Sequence, residues 1–207
     1  MSGRFITVEG IEGVGKTTNI EFIEQLLRNS GKEIVMTREP GGTGLGEDVR
    51  ELLLGHKHDG MSRDAELLLM FAARAEHVDK VIQPALEIGK WVLCDRFTDA
   101  TYAYQGGGRG FDTAPISTLE TLVQDSLRPD LTLLLDVSVE VGLDRAGKRS
   151  EPDRFEKEKH DFFERVRQTY LARAHADPAR MKIIDASQTL EIVQQQIQET
   201  MMEFLKN

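Results

Sequence analysis

The stretch from Phe5 to Thr18, FITVEGIEGVGKTT, narrows the folds open to this chain more than any other segment. An apolar run, Phe5-Ile6-Thr7-Val8, breaks into Gly10-x-x-x-x-Gly15-Lys16-Thr17, and a helical pattern follows at Ile20, Ile23, Leu26 and Leu27. Glycines at this spacing let the backbone turn tightly, so successive N–H groups point into one anion-sized hollow at the start of a helix. Lys16 adds a point charge, and the Thr17 hydroxyl can ligate Mg²⁺. The spacing is that of a P-loop, and the strand before it with the helix after it supply the context the motif requires. By itself it says only that a nucleoside triphosphate binds, which suits switches, transport ATPases and small-molecule kinases alike.

The rest of the chain alternates short apolar runs with longer helical patterns, the mark of an α/β protein with a parallel sheet. The runs predict strands at Phe5–Glu9, Glu33–Thr37, Trp91–Asp95, Leu131–Asp136 and Met181–Asp185. Acids close four of them, Glu9, Asp95, Asp136 and Asp185, at the strand ends where open α/β sheets form their ligand crevice. Helices are expected over Lys16–Asn29, Leu45–Leu54, Arg63–Ile88, Pro115–Asp125, Val139–Ala146, Lys157–Ala176 and Leu190–Leu205, with a kink at Pro84. Residues 1–207 read as one domain. After Gly147, a natural helix stop, Lys148-Arg149-Ser150-Glu151-Pro152-Asp153-Arg154 is either a solvated connection or part of a short mobile lid spanning about residues 145–156.

Composition removes several function classes. The net charge of −9, with no dense Lys/Arg block, disfavours a nucleic-acid surface. No apolar run approaches the roughly 18 residues of a membrane span, and the N-terminus lacks a secretory leader pattern. The single cysteine, Cys94, excludes an internal disulfide and suits a reducing, cytoplasmic setting. The five histidines show no zinc-type spacing with cysteine, and His56-Lys57-His58 is most simply a solvated loop.

Three further clusters carry chemistry. Thr37-Arg38-Glu39-Pro40-Gly41-Gly42-Thr43 follows the second strand, its Pro and glycines enforcing a turn that leaves Arg38 and Glu39 at the strand mouth. Asp95-Arg96 closes the third strand, where a carboxylate can hold Mg²⁺ or orient an arginine, and Arg96 can grip a phosphate with two N–H groups. Thr101-Tyr102-Ala103-Tyr104-Gln105 then leads into a glycine run, Gly106-Gly107-Gly108, expected as a flexible turn.

Together EGIEGVGKTT, TREPGGT, MFAAR, DRFTDATYAYQGGGRG, RPDLTLLLDV and DRFE, in that order, resemble the bacterial thymidylate kinase family from the first strand to the last. The resemblance implies a P-loop NTPase fold with a five-stranded parallel sheet sandwiched by helices, a homodimer, and transfer of the ATP γ-phosphoryl group to dTMP with Mg²⁺. It implies ATP contacts from Gly10, Ile11, Glu12, Gly13, Val14, Gly15, Lys16, Thr17, Thr18 and Arg145, with Ala186, Ser187 and Gln188 near the adenine. It puts Arg38, Glu39, Pro40, Arg50, Asp95 and Arg96 at the acceptor phosphate side, Arg74 on the thymine ring, and Thr101, Tyr102 and Gln105 around the base and deoxyribose. Thr17 and Asp95 would serve the metal, and Glu12 would reach from the P-loop toward the acceptor and its arginine. Lys16, Glu12, Arg96 and Arg149 are the implied catalytic set.

Arg149 enters that set because the P-loop has no arginine among Ile11, Glu12, Gly13 and Val14, so the charge on the transferring phosphoryl must come from elsewhere. Arg149, beside Lys148 and Arg154, matches the lid-arginine variant of the family. The family often stacks thymine on a phenylalanine four residues before the base-reading arginine. Here that position is Met70, while Phe71 lies three before Arg74, about 100° around a helix, and either side chain can cover the ring. Asp136 imitates a Walker-B acid, but the resemblance gives that importance to Asp95, leaving Asp136 a structural role. A kinase of another small substrate would not need Arg74 together with Thr101, Tyr102 and Gln105. A GTPase switch would need Asn-Lys-x-Asp, which does not occur in the chain.

Overall fold

The five apolar runs pair into one parallel sheet in the computed structural model, which describes residues 3–55, 60–147, 155 and 158–206. The strands are β1 (Phe5–Glu9), β2 (Ile34–Arg38), β3 (Trp91–Asp95), β4 (Leu131–Asp136) and β5 (Met181–Asp185), in the order β2-β3-β1-β4-β5. β1, β3 and β4 are almost entirely buried, as strands covered on both faces must be, and the edge strands β2 and β5 are partly exposed. β2 sits one residue later than the sequence pattern suggests, because its ladder with β3 runs on to the pair Arg38–Asp95.

Alternation along the strands divides the core. Phe5, Val92 and Cys94 pack with Val78, Ile82 and Ala85. Ile6, Val8 and Leu93 join a larger cluster that includes Ile23 and Leu27 of α1 (Lys16–Asn29) and Val193, Ile197 and Met201 of α9 (Leu190–Lys206). No helix among the described residues is long and apolar enough to cross a membrane.

Two helical segments depart from expectation. The helix beginning at Arg63 does run to Glu87, but as α3 (Arg63–His77), a π-helical turn (Val78–Ile82) and α4 (Gln83–Glu87). Pro84 falls in the first turn of α4, where its missing N–H costs little, so the π turn rather than a proline kink absorbs the irregularity. After β3 comes α5 (Thr98–Thr101), and it passes into a second π-helical stretch, Tyr102–Gly108. The glycine run is therefore helical and not a flexible turn. A Cβ on Gly107 would overlap the Thr169 hydroxyl, and one on Gly108 would lie 2.5 Å from the Phe162 ring, so the missing side chains let α8 (His160–Ala176) press against this stretch.

The remaining helices are α2 (Gly44–Leu54), α6 (Thr113–Gln124) and α7 (Val139–Ala146). Thr43 caps α2, its Oγ1 accepting the Gly46 N–H at 2.9 Å, so the turn after β2 ends as a helix cap. Neighbours on either side of β1 lead away in opposite directions, and the crevice at the carboxyl ends of β1 and β3 is the topological switch point where such sheets bind ligands.

Candidate active site

At that switch point lies a cleft of about 330 Å³. One wall is the P-loop, from Glu12 to Thr17. Gly13 has φ +74°, and a Cβ there would overlap the Gly142 carbonyl oxygen of α7, so only glycine lets the loop lie this close to that helix. Gly15, at φ +88°, is the residue immediately before α1, which turns the helix N-terminus toward the hollow. Lys16 Nζ reaches back to the Gly10 and Ile11 carbonyl oxygens, both at 3.4 Å, a pose a bound phosphate would replace.

Burial, followed by the positive charge of Arg96, lowers the Lys16 pKa to about 8. A phosphate partner favours the ammonium form, so the bound-state pKa is higher than the free one. Affinity for ADP should therefore be level below pH 8 and weaken by up to about tenfold per pH unit above it, until the bound-state pKa is reached. Calorimetric titration between pH 7 and 9.5 checks this, and an affinity flat across the range would exclude it.

The opposite wall carries the arginines. Arg96, the residue after β3, has φ +68°, a left-handed backbone that costs a residue bearing a Cβ about 1–2 kcal/mol. Three contacts hold it: Arg96 N donates to Val8 O at 3.0 Å, Cys94 Sγ donates to Arg96 O at 3.0 Å, and the next N–H, Phe97, donates to Glu9 Oε1 at 2.7 Å. The guanidinium lies over the Tyr104 ring at 4.7 Å, pairs with Glu12 Oε1 at 3.0 Å and donates to the Tyr170 hydroxyl at 3.3 Å. Tyr170 in turn donates to Glu9 Oε2 at 2.7 Å. Burial, with the charge of Asp99 adding to it, raises the Glu9 pKa to about 7. Cys94 is buried, and desolvation pushes its thiol pKa well up, so it is no nucleophile.

Arg74 is buried deeper. Its Nε donates to Glu39 Oε2 at 2.7 Å and its Nη2 to Thr101 Oγ1 at 3.0 Å, while Nη1 is buried on the cleft wall with no partner among the described residues. A buried donor left open is costly unless a ligand takes it. Met70 lines the cleft, whereas Phe71 is buried in the cluster of Leu67, Tyr102 and Ile116 and supports the Arg74 guanidinium at 4.7 Å. Of the two ring-covering candidates, Met70 is the one that faces the space.

Most of the residues singled out in the sequence meet here: Glu39, Pro40, Arg50, Asp95, Thr101 and Gln105 also line the cleft. Arg50 is held by a 2.9 Å bond to Pro40 O. The Gln105 amide donates to Glu66 Oε1 at 2.9 Å. Others lie elsewhere. Tyr102 faces away from the cleft, its hydroxyl donating to Glu120 Oε2 at 2.6 Å and its ring beneath Arg173 at 3.9 Å. Tyr104 takes the cleft position instead, its hydroxyl 2.8 Å from each Glu12 oxygen. Arg38 is exposed and paired with Glu47 at 2.9 Å, outside the cleft lining. Ile11 packs into the core and Thr18 is exposed on α1.

Arg145 donates to Ala186 O at 3.1 Å, tying α7 to the loop of Ala186, Ser187 and Gln188, which Asp185 organises through bonds to Ser187 and Gln188. Asp136 is held by Arg167 through two bonds of 2.7 and 2.8 Å, as a structural acid would be. Arg149 lies outside the described residues, as do Lys148, Arg154, His56 and His58. Ala146 and Phe155, at the borders of that segment, line the cleft.

Tyr170 and His77 escaped sequence reasoning, while Glu9 was placed at the crevice and Tyr104 lay within the Thr101–Gln105 cluster, neither with a role of its own. Tyr170, on the distant α8, had no signal.

The oxygen donors available to a cation are few. Asp95 Oδ1 is buried without a partner, and Thr17 is exposed at the start of α1; hard oxygen ligands suit Mg²⁺. Among the described residues no group of three or more His, Cys, Asp or Glu could hold a metal, so water and phosphate would complete the shell.

The thymidylate kinase family model matches residues 8–197. A thymidylate kinase of Alcanivorax borkumensis is 57% identical over 197 residues, covering 95% of each chain. One from Pseudomonas syringae pv. tomato is 56% identical over 206 residues, covering 100% of this chain and 98% of its own. The crystal structure of thymidylate kinase from Ehrlichia chaffeensis superimposes with a TM-score of 0.79 at 37% identity, covering 98% of this chain and 99% of that one. A P-loop, a facing arginine wall and full-length similarity of this order lead to one conclusion: the chain belongs to the thymidylate kinase family, which phosphorylates dTMP to dTDP with ATP.

Proposed function

We propose that the two walls of the cleft divide this reaction between them, the P-loop taking the ATP phosphates and the Arg74–Arg96 wall taking dTMP. The observation that carries the assignment is Glu12. It belongs to the P-loop yet its carboxylate is bonded to Arg96 and Tyr104 on the facing wall, so the two subsites share one residue.

The acceptor phosphate is itself the nucleophile and already anionic, so no general base is required; positioning and charge stabilisation do the catalysis. Lys16 and the loop N–H groups neutralise the donor phosphates, and Arg96 with Arg50 holds the acceptor phosphate. Arg74 offers its open Nη1–H to an acceptor oxygen of the base, with Met70 against the ring face. Thr17 and Asp95 would hold Mg²⁺, which when bound supplies positive charge to the phosphate oxygens. The lid role of Arg149 rests on the sequence alone: Arg149→Ala should lower kcat far more than it weakens dTMP binding, and an unchanged kcat would reject it.

A homodimer is in keeping with the exposed leucines Leu68 on α3 and Leu122 on α6, which are 56% and 78% exposed. A monomer by light scattering at micromolar concentration would exclude it. Work on a free nucleotide pool, with a lone buried thiol, fits a cytoplasmic enzyme. ADP release measured against a panel of nucleoside monophosphates tests the whole assignment. Strong stimulation by dTMP and little by dUMP, dCMP or AMP is expected; a flat panel would overturn it.

A further inference from the structure

Arginine and carboxylate side chains often meet through two parallel bonds. Arg74 and Glu39 do not. Glu39 gives Arg74 only Oε2, at 2.7 Å from Nε, because its Oε1 is taken 2.9 Å away by His77 Nδ1. His77 is fully buried, and its other nitrogen lies 2.6 Å from Thr37 Oγ1. A carboxylate only accepts, so Nδ1 carries the proton, and in the neutral ring Nε2 accepts the Thr37 hydroxyl. The chain Thr37–His77–Glu39–Arg74–Thr101 thus commits Nε and Nη2 of the guanidinium and leaves Nη1 as its one open group on the cleft wall.

We propose that His77, backed by Thr37, is a positioning residue for base selectivity: it occupies one oxygen of Glu39 and so fixes the plane in which Arg74 presents Nη1. Without the imidazole donor, Glu39 is free to rotate and grip Nε and Nη2 together, contesting the Thr101 bond and turning the fork. The turn after β2 is shaped around the pair. A Cβ on Gly42 would lie 2.6 Å from Thr37 Oγ1 and 2.7 Å from the His77 ring. Glycine at 42 therefore lets the turn close against the imidazole and its threonine partner.

The inference rests on the assignment of Arg74 to the base, and the experiment separates the two. The readout is the ratio of kcat/KM for dTMP to that for dCMP, since cytosine carries an amino donor where thymine carries a carbonyl acceptor. His77→Leu should lower that ratio about tenfold or more, mainly through KM for dTMP. His77→Asn, whose amide nitrogen can stand near the Nδ1 position, should restore most of it. Arg74→Leu is the reference. If Arg74→Leu loses selectivity and folded His77→Leu keeps it, the proposal falls while the base assignment stands. If Arg74→Leu itself keeps selectivity, the base assignment falls and the proposal with it. Should His77→Leu not fold, Thr37→Val leaves the ring and removes only its hydroxyl partner. A ratio lowered severalfold in that variant supports the proposal, and an unchanged ratio overturns it.

Discussion

Arg96→Ala is expected to lower kcat by about 10³-fold, roughly 4 kcal/mol of transition-state stabilisation, while the protein stays folded. The size follows from where the guanidinium sits. It is mostly shielded from water, so its charge is weakly screened, and it is preset by Glu12, Tyr170 and the Tyr104 ring, so little reorganisation is needed during reaction. Removing it also leaves the Glu12 carboxylate facing the phosphates with Tyr104 as its one remaining partner among the described residues, which adds repulsion to the lost attraction. Arg96→Lys keeps the charge and loses the planar fork, so an intermediate loss, borne more by KM for dTMP, should separate charge from geometry. Steady-state kinetics with circular dichroism as the folding control decide the matter. A kcat for Arg96→Ala within tenfold of the parent would remove Arg96 from the reaction.

The second large effect is expected at Gly13. Gly13→Ala should cost about 3 kcal/mol: roughly 1–2 for a side chain in a left-handed backbone and about 1–3 for overlap with a neighbour that is itself backbone. For a chain of this size that is a fall of about 10 °C in Tm. The carbonyl it meets belongs to Gly142 on α7, and a Cβ on Gly142 would in turn lie 2.7 Å from Glu12 O. Loop and helix are fitted to each other, so relief must move the phosphate cradle or α7 against it, and ADP affinity should fall with stability. Gly31→Ala provides the comparison. Gly31 has the same φ of +74° but nothing within 4 Å of the added carbon, so only the backbone cost, about 1 kcal/mol, should appear. Equal losses in the two variants would show that contact with α7 is unimportant.

The π-helical stretch at Tyr102–Gly108 shows where sequence reading stopped. On a regular helix Tyr102 and Tyr104 lie on nearly opposite sides, and which one faces the cleft depends on the local turn, here widened from the usual period. Gly106 to Gly108 looked like a loop because glycine weakens helices, yet packing against α8 outweighed propensity. His77 was overlooked for a related reason. It lies three residues after Arg74, hence on the same helix face, but its partners Thr37 and Glu39 come from β2 and the turn that follows it.

What the sequence determined by itself was the sheet, the P-loop and the identity of the facing wall. Buried parallel strands need unbroken apolar runs, and a phosphate cradle needs its glycines at fixed spacing, so each strand and the P-loop are written in their own short segments, as FITVEGIEGVGKTT shows for β1 and the loop. What only the tertiary structure decided was direction: that Met70 rather than Phe71 faces the cleft, that Tyr104 replaces Tyr102, and that Arg74 is left with one open N–H. Those outcomes depend on which partners arrive from β1, β2 and α8. Burial and hydrogen bonding fix a side chain's direction once the neighbours are in place, and no spacing along one chain segment encodes them.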